Sequence, residues 1–279
     1  MIKQFTYFKP GTLAEALAAL QTEGSIALAG GTDLLVELRG GVKSVDLVVD
    51  LKGLPKLTEL STTPDNTISI GAGVDLNFLV DHGKIREFCP VLSQAAYSIA
   101  TYQLRNRATL GGNICNASPA ADMAPPLFVL DAVVVAAGPD GERRIPIFKF
   151  FTGVKRTSLK RSEIVVRVEI PPVPKAKMAF LKKQRIKGHD LAAINMAGLA
   201  DSGSGTLRIS IGACAVTPIM LKGTDQLYRE NRDVEKLAEE VAALAVNSIK
   251  PIDDLRATAE YRRDMAAVFA KRLVRKICA

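Results

Sequence analysis

The sequence predicts a mixed α+β protein, with two N-terminal lobes that combine strands and helices and a C-terminal lobe in which strands precede helices. Three observations support this fold class. Strand-like and helix-like apolar patterns alternate up to residue 170, a proline-rich run follows at residues 171–174, and the rest of the chain shows strand patterns before helical ones. We therefore expect α/β lobes at residues 1–55 and 56–174, and an α+β domain at residues 175–279.

The first lobe is predicted from one helix signal and two short apolar runs. Thr12 and Glu15 have the spacing of a capping box, and apolar residues follow at helical intervals, so a helix begins there. Residues 25–28 and 45–50 have the pattern of buried strands. The first of these strands leads into the glycine pair Gly30-Gly31, which we therefore expect at a strand end.

The second lobe shows further strands and helices in turn. Residues 67–72 alternate apolar and polar side chains, which predicts a strand with one solvent-facing side. Helices are predicted from Asp75 to Asp81 and from Pro90 onward. A buried strand is predicted at residues 131–136, and residues 164–170 alternate apolar with polar side chains as a further strand does.

The C-terminal domain shows three strand patterns before two helical patterns. The strands lie near residues 177–184, 191–200 and 206–216, with a hairpin turn at 201–205, and the helices lie near 233–248 and 258–277. In the last helix an apolar stripe predicts core packing against the preceding helix. The stripe consists of Tyr261, Met265, Val268, Phe269 and Leu273.

Composition limits the class of protein. The chain has 279 residues, of which 48% are hydrophobic, so it can bury a large core. The N-terminal residues lack the apolar core of a secretory signal, and no apolar stretch approaches the roughly 18 residues that span a bilayer. We expect a cytoplasmic protein without a membrane span.

Cysteine and histidine usage argues against a local metal site. Cys89, Cys115, Cys214 and Cys278 include no Cys-x-x-Cys pair, so their spacing supports neither an iron–sulfur cluster nor a structural zinc site. With only 2 histidines, an all-histidine metal site is excluded.

The net charge of +8 raises a nucleic-acid or polyanion scaffold as an alternative. Aromatic residues are sparse, tryptophan is absent and no nucleic-acid motif is present, so we do not expect nucleic acid as a partner. The basic residues concerned are Lys155, Arg156, Lys160, Arg161, Lys182, Lys183, Arg185, Lys187, Lys271, Arg272, Arg275 and Lys276.

Two similar glycine loops, at residues 29–35 and 109–115, are the strongest functional signal. Adjacent residues without a Cβ let backbone N–H groups approach a ligand, and such amides form a concave anion site. Thr32, Thr109 and Asn113 add side-chain donors. The pair favours a diphosphate-containing dinucleotide over plain tight turns, which remain the alternative. The chain lacks both the Gly-x-Gly-x-x-Gly fingerprint and the Gly-Lys-Ser/Thr phosphate loop.

Four segments in this order resemble the FAD-binding medium subunit of molybdenum hydroxylases, the xanthine dehydrogenase and carbon monoxide dehydrogenase type. They are Ala29-Gly30-Gly31-Thr32-Asp33-Leu34, the run from Gln103 to Asn113, Ser118-Pro119-Ala120-Ala121-Asp122, and Thr217-Pro218. The resemblance covers essentially the whole chain. It implies a vanillyl-alcohol-oxidase (PCMH)-type FAD-binding fold of two α/β subdomains, followed by a small antiparallel sheet with helices.

The resemblance also implies which residues contact FAD. These are Leu28, Ala29, Gly30, Gly31, Thr32, Asp33, Leu34, Thr109, Gly111, Gly112, Asn113, Cys115, Asp122, Val165 and Lys182. The two loops would hold the pyrophosphate and ribitol. Asp122 would accept hydrogen bonds from FAD hydroxyls, with a helix N-cap before Met123 as the alternative.

Three of these residues would lie near the flavin ring, and each has an alternative. Val165 would touch the ring through its backbone, or serve only as strand core. Lys182 would favour the anionic reduced ring. A register shift would put Lys183 in that place, and an exposed strand lysine is the other alternative. Cys115 would approach the ring, whereas free cysteines more often pack as small hydrophobes.

The resemblance implies one subunit of a redox complex. A small subunit would carry [2Fe–2S] centres and a large subunit molybdopterin, and FAD on this chain would pass their electrons to NAD, quinone, ferredoxin or dioxygen. The assembly implied is a dimer of heterotrimers, and no side chain is required as a catalytic base. A self-contained flavin oxidase or reductase of the same fold is the other alternative. Such an enzyme generally needs a proton donor above the flavin ring, and neither Asp33 nor Asp122 has an evident acid partner by spacing, which weakens this alternative.

Overall fold

The computed structural model describes residues 3–173, 175–186, 189–231 and 233–279. Pro174, the last residue of the predicted linker, lies outside the described residues, as does Lys187 of the basic clusters.

The N-terminal strands form a small parallel sheet in the order β1-β3-β2. Its elements are β1 (Thr6–Phe8), α1 (Leu13–Ala19), β2 (Ser25–Leu28), α2 (Leu34–Arg39) and β3 (Leu47–Asp50). The predicted cap of α1 is confirmed, because the Thr12 hydroxyl accepts from the Glu15 amide at 3.2 Å. The Glu15 carboxylate accepts from the amide of Gly11. Since β2 and β3 are parallel, their carboxyl ends meet at one edge of the sheet.

A five-stranded antiparallel sheet follows, in the order β4-β5-β10-β6-β7. Six short helices connect β5 to β6 and build the largest core together with this sheet. The elements are β4 (Leu60–Thr62), β5 (Ile68–Gly71), α3 (Leu76–Asp81), α4 (Gly83–Phe88), α5 (Pro90–Tyr97), α6 (Tyr102–Arg105), α7 (Leu110–Cys115), α8 (Ala124–Val129), β6 (Val133–Gly138), β7 (Gly141–Pro146), α9 (Ile147–Phe150), β8 (Phe151–Gly153), β9 (Arg156–Thr157) and β10 (Ile164–Ile170).

The C-terminal part contains a four-stranded antiparallel sheet in sequential order, followed by helices. Its elements are β11 (Lys177–Gln184), β12 (Ala192–Asp201), β13 (Thr206–Gly212), β14 (Ile219–Met220), α10 (Thr224–Glu230), α11 (Val234–Ser248) and α12 (Ala259–Cys278). One face of the sheet packs against α12, and the other against α5 and α8. This second contact brings β11 and β12 beside the preceding lobe and is what completes the site described below.

Two expectations for the C-terminal part are wrong in detail. The strand predicted at 206–216 ends at Gly212. In α12, Tyr261 and Val268 are 39% and 36% exposed, whereas Phe269 and Leu273 are buried. Because α12 packs against β11 and β12 as well as α11, its buried face is broader than the predicted stripe and rotated relative to it.

No helix among the described residues is long and apolar enough to cross a bilayer.

Candidate functional site

A cavity of about 840 Å³ lies where the two N-terminal sheets meet and extends to the C-terminal sheet. This volume is within the range of about 300–1,000 Å³ that is typical of cofactor and ligand sites. The second cavity, near Arg143, holds only about 280 Å³. Both glycine loops, β10 and β11 contribute residues to the wall of the larger cavity.

All but one of the residues predicted to contact a cofactor line this cavity. They are Ala29, Gly30, Gly31, Thr32, Asp33, Leu34, Thr109, Gly111, Gly112, Asn113, Cys115, Asp122, Val165 and Lys182. Leu28 is the exception, and its prediction requires correction. Because it is the last residue of a buried strand, its side chain points into the core beside Leu38 and Val48 rather than into the cavity.

The two glycine loops lie side by side. A Cβ placed on Gly30 would overlap the carbonyl group of Arg107, which lies two residues before the second loop. A Cβ placed on Gly112 would lie 3.7 Å from the Cβ of Ala29. The absence of a side chain at Gly30 therefore serves close packing of one loop against the other.

The first loop presents free backbone amides. It runs from the end of β2 to the start of α2, with Gly31 in the left-handed region at φ +79°. Among the described residues, no protein acceptor contacts the N–H groups of residues 30–34. Asp33 occupies the N-cap position of α2, and its carboxylate makes no capping hydrogen bond. A row of unpaired N–H groups along a concave wall suits an anion such as a diphosphate.

The second loop differs, because its amides are already bonded within the protein. The N–H of Gly111 donates to the carbonyl of Ala72 at 2.8 Å, and the N–H of Gly112 donates to the Thr109 hydroxyl at 3.0 Å. Thr109 therefore acts as the acceptor that caps α7, and its O–H remains free to donate, so its role as a side-chain donor to a ligand stays a prediction. The second loop also contributes the Asn113 carboxamide, whose oxygen is buried and accepts no hydrogen bond among the described residues.

Lys52 is a cavity residue that the sequence analysis missed. Its ammonium group donates to the Asp50 carboxylate at 2.6 Å and to the carbonyl of Ala29 at 3.4 Å. Burial raises the pKa of Asp50, but hydrogen bonds from Lys52 and Tyr7 outweigh burial and lower it. The available signal was the position of Asp50 at the carboxyl end of β3, beside the end of β2.

A buried ion pair forms part of the cavity wall. The Lys182 ammonium donates to the Asp122 carboxylate at 2.7 Å, and both side chains are 5% exposed. Asn195 donates to the other carboxylate oxygen at 2.7 Å. Burial raises the pKa of Asp122, and the charge of Lys182 and the Asn195 hydrogen bond oppose this rise. Asn195 was not predicted from the sequence, because it is separated from Asp122 by 73 positions.

The structure decides between the alternatives given above for Asp122 and Lys182. Asp122 does not cap a helix, because α8 begins at Ala124 with Met123 as its N-cap residue and no side-chain capping bond. Lys182 is not an exposed strand lysine. The alternation of side chains along β11 places Lys182 in the cavity wall, and Lys183 is not among the residues that line it.

Val165 and Cys115 line the cavity in different ways. Val165 is a buried residue of β10, where an irregularity in strand pairing between Val165 and Arg167 interrupts the sheet beside the cavity. Cys115 is the last residue of α7 and is exposed at the cavity, which favours its place beside a ligand over its interpretation as a packing residue. Since protein surrounds the cavity at this depth, burial raises the pKa of the Cys115 thiol to about 12. The neutral thiol therefore faces the cavity at neutral pH.

Two family models together, and several known proteins, match this chain over most of its length. The family described as "FAD binding domain in molybdopterin dehydrogenase" matches residues 3–173, and the family described as "CO dehydrogenase flavoprotein C-terminal domain" matches residues 179–277. The chain is 30% identical over 275 residues to the xanthine dehydrogenase FAD-binding subunit of Escherichia coli O157:H7, covering 96% of this chain and 94% of that protein.

Solved structures agree with the sequence relatives. The structure of carbon monoxide dehydrogenase from Hydrogenophaga pseudoflava contains a chain with a TM-score of 0.95 and 27% identity, covering 100% of this chain and 98% of that chain. Quinoline 2-oxidoreductase from Pseudomonas putida 86 contains a chain with a TM-score of 0.93 and 27% identity, covering 99% of this chain and 98% of that chain. The predicted fold class is confirmed by these similarities. Two matched families that together span nearly the whole described chain, with both glycine loops in one cavity, show that the protein belongs to the FAD-binding family of the molybdopterin dehydrogenases.

Proposed function

We propose that this chain is the FAD-binding subunit of a molybdenum hydroxylase complex and that FAD binds in the 840 Å³ cavity. When bound, FAD supplies the capacity to accept electrons from one redox partner and deliver them to another. The names of the relatives support this role, since they include a xanthine dehydrogenase FAD-binding subunit and the carbon monoxide dehydrogenase medium chain. The chain itself binds and orients the cofactor and sets the charge around it.

The observation that carries the proposal is the row of unpaired N–H groups at residues 30–34 beside the cavity. These amides fit the diphosphate that joins the two halves of FAD. The unpartnered oxygen of Asn113 fits a hydroxyl donor of the same molecule. Lys52 holds the first loop in place through the carbonyl of Ala29.

The opposite part of the wall suits the flavin ring. The Val165 backbone and the Cys115 thiol would contact it, and Lys182 would contribute a positive charge. Because Asp122 binds Lys182 directly, the wall carries a compensated pair in place of a free cation, and the effect of Lys182 on the flavin potential is smaller than that of an isolated ammonium. Asp122 retains acceptor capacity for a hydroxyl of FAD beyond its two bonds to protein.

The remaining assignments complete the proposal. The partners are a small subunit with [2Fe–2S] centres and a large subunit with molybdopterin, arranged as a dimer of heterotrimers. NAD, quinone, ferredoxin or dioxygen is the external acceptor. The proposed domains are residues 1–55, 56–174 and 175–279. The proposed location is the cytoplasm, where four free cysteines stay reduced.

Titration of the purified chain with FAD and with riboflavin tests the proposal. We expect one FAD per chain and far weaker binding of riboflavin, because riboflavin lacks the diphosphate that the first loop would hold. Failure to bind flavin would contradict the proposal and favour the polyanion scaffold.

Electron transfer distinguishes a subunit from a self-contained oxidase or reductase. We expect the FAD-loaded chain to oxidise no substrate of the complex until the iron–sulfur and molybdenum subunits are added. Turnover of such a substrate by the isolated chain would support the self-contained enzyme instead.

A further inference from the structure

Arg105 is a buried cation without an acidic partner. Arg105 is the last residue of α6 and is 7% exposed. Its guanidinium forms no ion pair among the described residues. A buried charge is costly unless hydrogen bonds compensate it, so the groups around Arg105 show what it is for.

Those groups are the carbonyl oxygens of a single turn. Nη1 of Arg105 donates to the carbonyls of Tyr97, Ile99 and Ala100 at 3.2, 3.0 and 3.1 Å. Nε donates to the side-chain oxygen of Asn77 at 2.8 Å. The guanidinium also lies over the Tyr97 ring, 5.2 Å from its centroid.

The turn is strained and lies at the cavity. Ala100 has φ +45°, a left-handed conformation that residues with a Cβ rarely adopt, and both Ile99 and Ala100 line the cavity. Since Arg105 gathers the carbonyls on either side of Ser98, it holds the turn in this conformation.

The one carbonyl of this turn that Arg105 does not contact belongs to Ser98, and it binds Lys182. The Lys182 ammonium donates to it at 3.1 Å while donating to Asp122 at 2.7 Å. Two acceptors thus fix the ammonium, one supplied by Asp122 and the other by the turn that Arg105 organises.

We propose that Arg105 is a positioning residue that fixes Lys182 in the cavity wall through the carbonyl of Ser98. This inference rests on and extends the proposed function, in which Lys182 would lie near the flavin ring. Arg105 itself is separated from the cavity by the turn and acts through it.

The test measures the chemical reactivity of Lys182 in the FAD-free chain. Amine acetylation is followed by mass spectrometry, and the rate at Lys182 is divided by the rate at Lys183, its neighbour with the opposite orientation in β11. In Arg105→Met we expect this ratio to rise several-fold, because the ammonium loses one of its two fixed acceptors. Arg105→Lys should give a ratio between those of the unmodified chain and Arg105→Met, since an ammonium group can donate to the same three carbonyls.

Two further variants separate positioning from general loss of stability. Leu273→Ala removes core packing in α12 and should leave the ratio unchanged. Asn77→Ala removes the acceptor of Nε and should raise the ratio less than Arg105→Met, which keeps the test available if the latter fails to fold. An unchanged ratio in both Arg105→Met and Asn77→Ala, or an equal rise in Leu273→Ala, would overturn the inference.

The flavin potential provides the second readout and depends on the proposed function. In the FAD-loaded chain, Arg105→Met should shift the midpoint potential in the same direction as Lys182→Met, and the double variant should match Lys182→Met alone. Absence of FAD binding by the unmodified chain would contradict the proposed function, while the acetylation result would still decide the role of Arg105.

Discussion

At the scale of single residues, the site depends on which polar groups are already satisfied. Both loops contain paired glycines, yet the amides of Gly111 and Gly112 are bonded within the protein, while those of residues 30–34 are free. The sequence predicted both loops and could not distinguish them. The difference depends on the local Thr109 cap and on the carbonyl of Ala72, and the latter contact exists only once the end of β5 and α7 are packed together.

Cys115 offers a residue-level prediction. Cys115→Ala should leave FAD bound and change the flavin potential or oxygen reactivity only modestly, because the thiol is neutral and forms one part of a large wall. Absorption spectroscopy of the purified variant measures retention of FAD. Complete loss of bound flavin would show that the thiol is essential to the site.

Protection of the same cysteine from alkylation locates the cofactor independently. With a small alkylating reagent at pH 9 and a long incubation, Cys115 should react slowly through its minor thiolate fraction in the FAD-free chain and be protected after FAD is added, whereas Cys89 and Cys214 are buried and should resist in both. Equal reaction of Cys115 with and without FAD would place the cofactor elsewhere.

At the scale of secondary structure, the sequence predicted elements with clear periodicity and missed short ones. The strands at Ser25–Leu28 and Ile164–Ile170 and the helix at Pro90–Tyr97 are confirmed. The helix Leu34–Arg39 was missed, because six residues after a glycine loop give too few turns for an apolar period. The predicted buried face of α12 was wrong in part, because packing against the sheet and α11 decides which residues of the helix are buried.

The corrected face of α12 predicts the effects of two neighbouring substitutions. Phe269→Ala should lower the free energy of unfolding by about 3–5 kcal/mol, because it leaves a cavity in the C-terminal core. Val268→Ala should change it by about 0.5 kcal/mol or less, since Val268 is 36% exposed. Denaturant titration measures both free energies of unfolding. A loss in Val268→Ala as large as that in Phe269→Ala would show that Val268 is buried, as the stripe predicted from sequence requires.

At the scale of the whole molecule, the site is built by contacts between distant parts of the chain. Lys182 is separated from Asp122 by 60 positions, and the two meet because the C-terminal sheet packs against α5 and α8. No spacing rule relates such residues, so family resemblance indicated Asp122 and Lys182, while Asn195 and the contacts of Arg105 emerged only from the structure. Charge composition was a weaker guide, since Lys155, Lys271 and Arg275 all form ion pairs with glutamates.

Acid stability tests how the C-terminal part is held together. Burial raises the pKa of Asp254, but hydrogen bonds from the Arg256 amide and the Arg262 guanidinium outweigh burial and lower it to about 2. A lowered carboxyl pKa stabilises the fold above the unfolded value of 3.8 and loses that contribution as pH falls toward 2. Asp254→Asn should therefore destabilise the chain by about 1 kcal/mol at pH 7 and by much less near pH 2. Chemical denaturation across this pH range measures the difference, and equal destabilisation at both ends would contradict the assignment.

The affinity of Gly30→Ala for FAD tests whether the free amides of the first loop hold the cofactor, with Gly83→Ala as the matched control. A Cβ on Gly30 would collide with the carbonyl of Arg107 and push the free amides of the first loop out of line, whereas a Cβ on Gly83 meets nothing within 4 Å. We predict that Gly30→Ala weakens FAD binding by about tenfold or more while Gly83→Ala leaves it unchanged. Equal affinity of the two folded variants for FAD would show that these amides do not hold the cofactor.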